Sequence, residues 1–137
     1  MAADAFIDTN VLLYLISADA AKADRAEALL LERPRISVQV LNEFTNVARR
    51  KSGLEWNEVE EALEVFKAAC DVHPLTLETH EQAVRLASRH SFSFYDALIV
   101  ASALLADCAT LWSEDMQDGL LVDDRLRIRN PFLASSP

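Results

Sequence analysis

A chain of 137 residues has the length of one compact domain, and its 51% hydrophobic content with only two glycines and four prolines excludes disordered, collagen-like and repeat classes. The net charge of −9 argues against a general nucleic-acid coat protein, since non-specific affinity for phosphate comes from lysine and arginine. It leaves room for an enzyme that gathers carboxylates around a metal ion and keeps a local basic patch for a polyanion.

In chain order, Ala5-Phe6-Ile7 is a short apolar run ending at Asp8, and Val11, Leu12, Tyr14 and Leu15 then follow at helical spacing, which predicts a strand-to-helix turn. Good helix formers fill Ala20 to Leu31 until Pro34 blocks continuation. Arg35 to Val38 alternates like a strand. Val40, Phe44, Val47 and Ala48 then mark a helix that Ser52-Gly53 ends. Trp56 to Ala69 is a further helix, Val72 to Leu75 a brief strand interrupted by Pro74, and Leu77 to His90 another helix. Phe94 to Ala106 is apolar on every side, as a helix buried between neighbours must be. Thr110 to Trp112 reads as a strand, and Leu120 to Val122 and Leu126 to Arg129 read as edge strands before Asn130-Pro131-Phe132.

Alternating strands and helices imply an α/β fold with a mostly parallel sheet covered by helices on both faces, because parallel strands need crossover connections. Ligands in such folds bind beyond the carboxyl ends of the strands. No apolar run is long enough for a membrane span; Ala97 to Ala106 would cross about half of a ~30 Å hydrocarbon layer. Met1-Ala2-Ala3-Asp4 carries no basic segment with an apolar stretch behind it, so a cytoplasmic protein is expected. Cys70 and Cys108 lack metal-like spacing and read as buried small hydrophobes, while His73, His80 and His90 read as surface or helix-end residues.

Four acids stand where the chemistry of such a fold belongs. Asp8 follows the first strand, Glu43 lies one turn into the helix after the second, Asp115 comes three residues after Trp112, and Asp96 opens the buried helix. Each has a plainer role open to it. Asp8 suits a helix N-cap, Ser93-Phe94-Tyr95-Asp96 has the spacing of a capping box, Asp115 suits a turn, and Glu43 could pair with an arginine. Glu43 shares the helix face of Val40, Phe44 and Val47, where an unpaired carboxylate is costly. Clustered carboxylates repel one another unless a cation neutralises them, and an all-oxygen set without histidine or cysteine suits Mg²⁺ or Mn²⁺ over zinc. Such an ion binds a bridging phosphate oxygen and acidifies a coordinated water, so hydrolysis is the expected reaction. Thr9, Asn10 and Ser113 supply neutral groups that orient a carboxylate or a water, or that merely cap and turn the chain.

The segments Phe6-Ile7-Asp8-Thr9-Asn10-Val11-Leu12-Leu13-Tyr14, Leu41-Asn42-Glu43-Phe44, Ser93-Phe94-Tyr95-Asp96-Ala97-Leu98-Ile99-Val100-Ala101-Ser102-Ala103 and Leu111-Trp112-Ser113-Glu114-Asp115-Met116-Gln117-Asp118-Gly119 together resemble the PIN-domain family, in particular VapC-type toxins. The resemblance spans nearly the whole chain as one domain. It implies a three-layer α/β/α sandwich around a mostly parallel five-stranded sheet, a Mg²⁺- or Mn²⁺-dependent endoribonuclease, and metal-binding roles for Asp8, Glu43, Asp96 and Asp115. Asp118, in the same loop, is a further candidate for a ligand, directly or through water. The family is usually homodimeric and neutralised by a small antitoxin, whose basic character would match the acidic charge here. Arg49, Arg50, Lys51, Arg85 and Arg89, with Arg125, Arg127 and Arg129 in the tail, are candidate RNA contacts, and Tyr14, Trp56 and Tyr95 could stack bases; solvated charge and core packing are the plainer readings.

Two rival chemistries fit less well. A haloacid-dehalogenase-type phosphatase needs a second aspartate where this chain has Asn10, and a phospho-receiver module needs a late lysine, whereas no lysine follows Lys67. A catalytically silent binding module on the same fold is the remaining alternative.

Overall fold

The computed structural model describes residues 4–133; the N-terminal reading at Met1 to Ala3 lies outside them. Strand β1 (Ala5–Ile7) leads into helix α1 (Thr9–Leu13), a short 3-10 turn over Tyr14–Ile16, and helix α2 (Ala20–Leu30). Then come β2 (Arg35–Ser37), α3 (Val38–Arg50), α4 (Trp56–Ala69), β3 (Asp71–His73), α5 (Leu77–Arg89) and α6 (Phe94–Leu105). The chain closes with β4 (Thr110–Trp112), β5 (Leu121–Val122) and β6 (Leu126–Arg129).

These strands form one sheet in the order β3-β2-β1-β4-β6-β5. The five expected parallel strands are all present, from β3 across to β6, and the two-residue β5 adds an antiparallel edge on β6. Helices flank the sheet, as the alternation requires. Walking outward from β1, the chain builds β2 and β3 on one side and then returns to place β4 on the other. The direction of winding therefore reverses between β1 and β4, the point at which such sheets open a crevice at their carboxyl ends. Backbone bonds hold these ends level: Asp8 N donates to Trp112 O at 2.9 Å, and Ser113 N to Arg129 O at 2.9 Å.

Three strand boundaries differ from the sequence reading, and the smallest change is at the antiparallel edge, which begins at Leu121 in place of Leu120. The second strand stops at Ser37, because its hydroxyl accepts from Val40 N and caps α3, which makes Val38 helical. The third runs over Asp71–His73 and ends before Pro74, which has no N–H to give to a ladder and restricts the residue before it.

The apolar patterns become the core. Phe6 and Ile7 are fully buried, and every residue from Ala97 to Leu104 of α6 is buried, which matches its lack of a polar face. Cys70 and Cys108 are buried free thiols, and burial pushes the Cys70 thiol up to about 12, leaving it uncharged. Phe44 of α3 and Phe66 of α4 meet edge to face, with centroids 4.8 Å apart. Phe44→Ala is expected to cost about 3–5 kcal/mol, read as a lower urea midpoint, because Phe44 is fully buried and a cavity would remain. No described helix is long and apolar enough to cross a membrane.

Candidate active site

Asp8 sits at the tip of β1 as the N-cap of α1, so the capping role and a place in the crevice coincide. Its Oδ1 accepts from Thr9 N at 2.7 Å, and its Oδ2 accepts from Ser113 Oγ at 2.8 Å and from Asn10 Nδ2 at 3.0 Å. The residue is only 3% exposed. Burial pushes its carboxyl up to about 7, against the opposing hydrogen bonds from Ser113 and Thr9; the nearby negative charges of Asp96 and Glu43 push it further up.

Glu43 is half-buried and has an unexpected solution to its charge. Among the described residues no arginine pairs with it. Instead Thr9 Oγ1 donates to Oε1 at 3.2 Å and Gln39 Nε2 to Oε2 at 2.9 Å. Gln39 lies one helical turn earlier on α3, a spacing that places the two side chains on one face.

Asp96 lies in the first turn of α6, where Ser93 caps the helix by accepting from Asp96 N at 3.2 Å. Burial raises the Asp96 carboxyl, Ser93 opposes this, and the charge of Asp115 adds to the rise. Asp115 is exposed in the loop after β4, and Asn10 Nδ2 reaches its Oδ2 at 3.3 Å. Asn10 thus spans Asp8 and Asp115, while its Oδ1 accepts from Glu114 N at 3.0 Å and fixes the loop. Thr9, Asn10 and Ser113 thus each hydrogen-bond one or more of these acids.

The fold brings all four acids to one hollow of about 270 Å³, lined also by Thr9, Asn10, Leu13, Asn46, Val47 and Lys51. Asp118 is not among them. It accepts from Asn130 N at 2.7 Å and lines a separate crevice with Lys22, Arg25 and Trp112. Glu114 is also turned away, since Lys22 Nζ at 2.6 Å and Tyr14 Oη at 2.6 Å both donate to it and hold its carboxyl below the usual range despite burial. The carboxylates that remain face the hollow from β1, α3, α6 and the loop after β4.

Carboxylate, hydroxyl and amide groups converge here beside the Lys51 ammonium, and their oxygens are of the donor type that suits a hard divalent cation. Burial is the main cause of the raised carboxyls of Asp8 and Asp96, with smaller rises at Asp8 from the charges of Asp96 and Glu43 and at Asp96 from the charge of Asp115. Among the described residues, no three acidic, histidine or cysteine side chains close into a preformed cage.

The basic candidates separate. Arg85 is engaged bidentately by Asp123, at 2.6 and 3.3 Å, and Arg49 donates to Leu54 O at 2.8 Å and lies over the Trp56 ring. Arg125 pairs with Asp107, and Arg127 donates to Gly119 O. Lys51 lines the acidic hollow; Arg89 lines a neighbouring one. Arg50 and Arg129 are exposed, the latter in the crevice of Asp118. Tyr14 packs on Phe132 with centroids 4.8 Å apart, a packing role in place of base stacking. The residues that the sequence reading passed over are Gln39, Asn46 and the Lys22–Tyr14–Glu114 clamp.

A carboxylate-lined hollow at the winding reversal of a parallel sheet defines an α/β protein with its chemistry at the strand tips. A family model described as PIN domain matches residues 5–117, and the chain belongs to the PIN-domain family. Solved structures similar to it include a toxin-antitoxin complex from Klebsiella pneumoniae, 20% identical, with 93% of this chain and 98% of that chain covered at a TM-score of 0.71. VapC20 of Mycobacterium tuberculosis, described as a sarcin-ricin loop cleaving toxin, is 24% identical over 81% of this chain and 89% of its own, at a TM-score of 0.67. A DNA-bound VapBC from Salmonella typhimurium is 16% identical over 96% and 99% of the two chains, at a TM-score of 0.71. At these identities the likeness shows the fold. No curated protein matches the chain.

Proposed function

We propose that this chain is an endoribonuclease that hydrolyses RNA phosphodiester bonds with Mg²⁺ or Mn²⁺, as the toxin of a toxin-antitoxin pair. The observation that carries the proposal is the convergence of Asp8, Glu43, Asp96 and Asp115, from four distant segments, on one hollow. Burying Asp8 and setting it beside the charges of Asp96 and Glu43 both raise its carboxyl, so holding these acids ionised without a counter-ion works against folding. A cation removes this cost.

When bound, such an ion binds a phosphate oxygen and acidifies a coordinated water. The chain's own residues do the positioning. Ser113 and Asn10 fix Asp8, Gln39 and Thr9 fix Glu43, and Asp96 and Asp115 face them from α6 and the loop after β4. A carboxylate of raised pKa, such as Asp96, is suited to taking a proton from the attacking water.

The toxin role is supported by the kinship of the fold to toxin-antitoxin complexes and to an RNA-cleaving toxin. The acidic hollow and the net charge of −9 suit a small antitoxin with a basic segment. A cytoplasmic homodimer is the expected form. The purified protein is expected to cleave RNA when Mg²⁺ or Mn²⁺ is supplied and to stop when a chelator is added, followed on denaturing gels. Cleavage that continues at the same rate in excess chelator would overturn the metal-dependent reading.

A further inference from the structure

Asp8 and Asp115 face the same hollow but are held very differently. The Asp8 carboxylate is buried and accepts from Thr9, Ser113 and Asn10. Asp115 is exposed, and among the described residues its carboxylate accepts only from Asn10 Nδ2, at a long 3.3 Å. Its place therefore depends on the backbone that carries it.

That backbone is anchored through the neighbouring side chain. Lys22 Nζ donates to Glu114 Oε2 and Tyr14 Oη to Glu114 Oε1, each at 2.6 Å, and Lys22 Nζ also donates to Tyr14 Oη at 3.1 Å. The ammonium lies 4.8 Å from the centroid of the Tyr14 ring and 5.2 Å from that of Phe132, which adds cation–π attraction to the ion pair. Tyr14 belongs to the 3-10 turn after α1 and Lys22 to α2, so the clamp fastens the loop after β4 to the segment that begins at Asp8. Glu114 and Asp115 are joined by one planar peptide unit, and fixing the first side chain restricts where the second can point. None of the three clamp residues lines the acidic hollow.

We propose that Lys22, Tyr14 and Glu114 are positioning residues that hold Asp115 in the acidic hollow, and so set the affinity of the site for a divalent cation without touching it. The inference rests on the metal reading above and extends it to residues outside the hollow. Charge and position predict opposite signs for Lys22. By charge alone, removing this cation should tighten divalent binding. As part of the clamp, its removal frees the loop and should weaken binding, since outer supports of metal ligands are worth about tenfold or more in affinity.

Calorimetric titration with Mn²⁺, together with amide hydrogen exchange at Glu114 and Met116 in chelator, tests it. Those two amides donate to Asn10 Oδ1 and Ser113 Oγ and report the loop with no metal present. Lys22→Met should bind Mn²⁺ about tenfold more weakly than the parent and exchange both amides about tenfold faster. Tyr14→Phe keeps the ring on Phe132 and changes no charge at neutral pH; it should move both readouts the same way by roughly threefold. Lys67→Met removes a cation paired with Glu64, outside the clamp, and should match the parent's exchange and bind Mn²⁺ no more weakly. Parent-like or tighter Mn²⁺ binding in Lys22→Met and Tyr14→Phe, or parent-like exchange at both amides, would overturn the proposal and leave the clamp a stability contact alone. A parent that takes up no Mn²⁺ would instead remove the metal reading, and the exchange rates would then decide whether the clamp holds the loop of Asp115.

Discussion

Replacing Asp8 by asparagine is expected to give a protein that no longer cleaves RNA yet resists unfolding better than its parent at pH 8 in chelator. The loss of activity should be at least about a thousandfold, or ~4 kcal/mol of barrier, because the most buried ligand of the proposed cation is removed. The gain in stability has a separate cause. The folded carboxyl titrates near 7 against 3.8 for an ordinary aspartate, since burial disfavours the charged form. Well below pH 3.8 the group is protonated in both states and carries no penalty. As the pH rises towards 7, the unfolded state releases the proton that the folded state retains, and stability falls until both are ionised.

The full penalty amounts to about 4 kcal/mol at pH 8. Asparagine removes it, although Asn10 and Ser113 then lose part of their hydrogen bonding to position 8, which offsets about 1 kcal/mol. A net gain of about 1–3 kcal/mol should raise Tm by roughly 4–10 °C at pH 8 and disappear near pH 4. Thermal unfolding followed by circular dichroism at both pH values measures it. An Asp8→Asn protein less stable than its parent at pH 8 would show that Asp8 is a cap whose charge the fold needs.

The second large effect is the response of the parent to cations. Mg²⁺ or Mn²⁺ at about a hundred times its dissociation constant should stabilise the fold by about 2.7 kcal/mol, because it binds the native carboxylates and not the unfolded chain. The rise in Tm should be greater at pH 8 than at pH 5, since protons compete for the raised carboxyls of Asp8 and Asp96. An equal rise at both pH values would point to binding at ordinary surface acids.

Much of this was legible in the chain because it depends on local pattern. A short apolar run followed directly by an acid marked the tip of β1, an acid three residues beyond Trp112 marked that of β4, and the absence of a polar face marked α6 as buried. The convergence of Asp8, Glu43, Asp96 and Asp115 followed from the strand-tip rule, and all four line one hollow. Pairings between distant segments were not legible. Nothing in the sequence links Lys22 to Glu114 or Arg85 to Asp123, yet these contacts decide which charges remain open to a ligand.

Asp118 shows the same limit at close range. It lies three residues beyond Asp115, but the loop turns its carboxylate to the backbone of Asn130, so proximity in sequence did not become proximity in the hollow. Asn10 shows the reverse. Read only as a neutral group beside the acids, or as a cap, it bridges Asp8 and Asp115 and also fixes the loop after β4 through Glu114 N.

Calorimetric titration of Mn²⁺ into the purified parent and into Asp8→Asn and Asp96→Asn, with folding of each verified by circular dichroism, tests the central claim most directly. The parent is expected to show saturable uptake and each variant a large loss of affinity. Parent-like uptake by both variants, or none by the parent, would contradict the assignment of these carboxylates to a divalent ion.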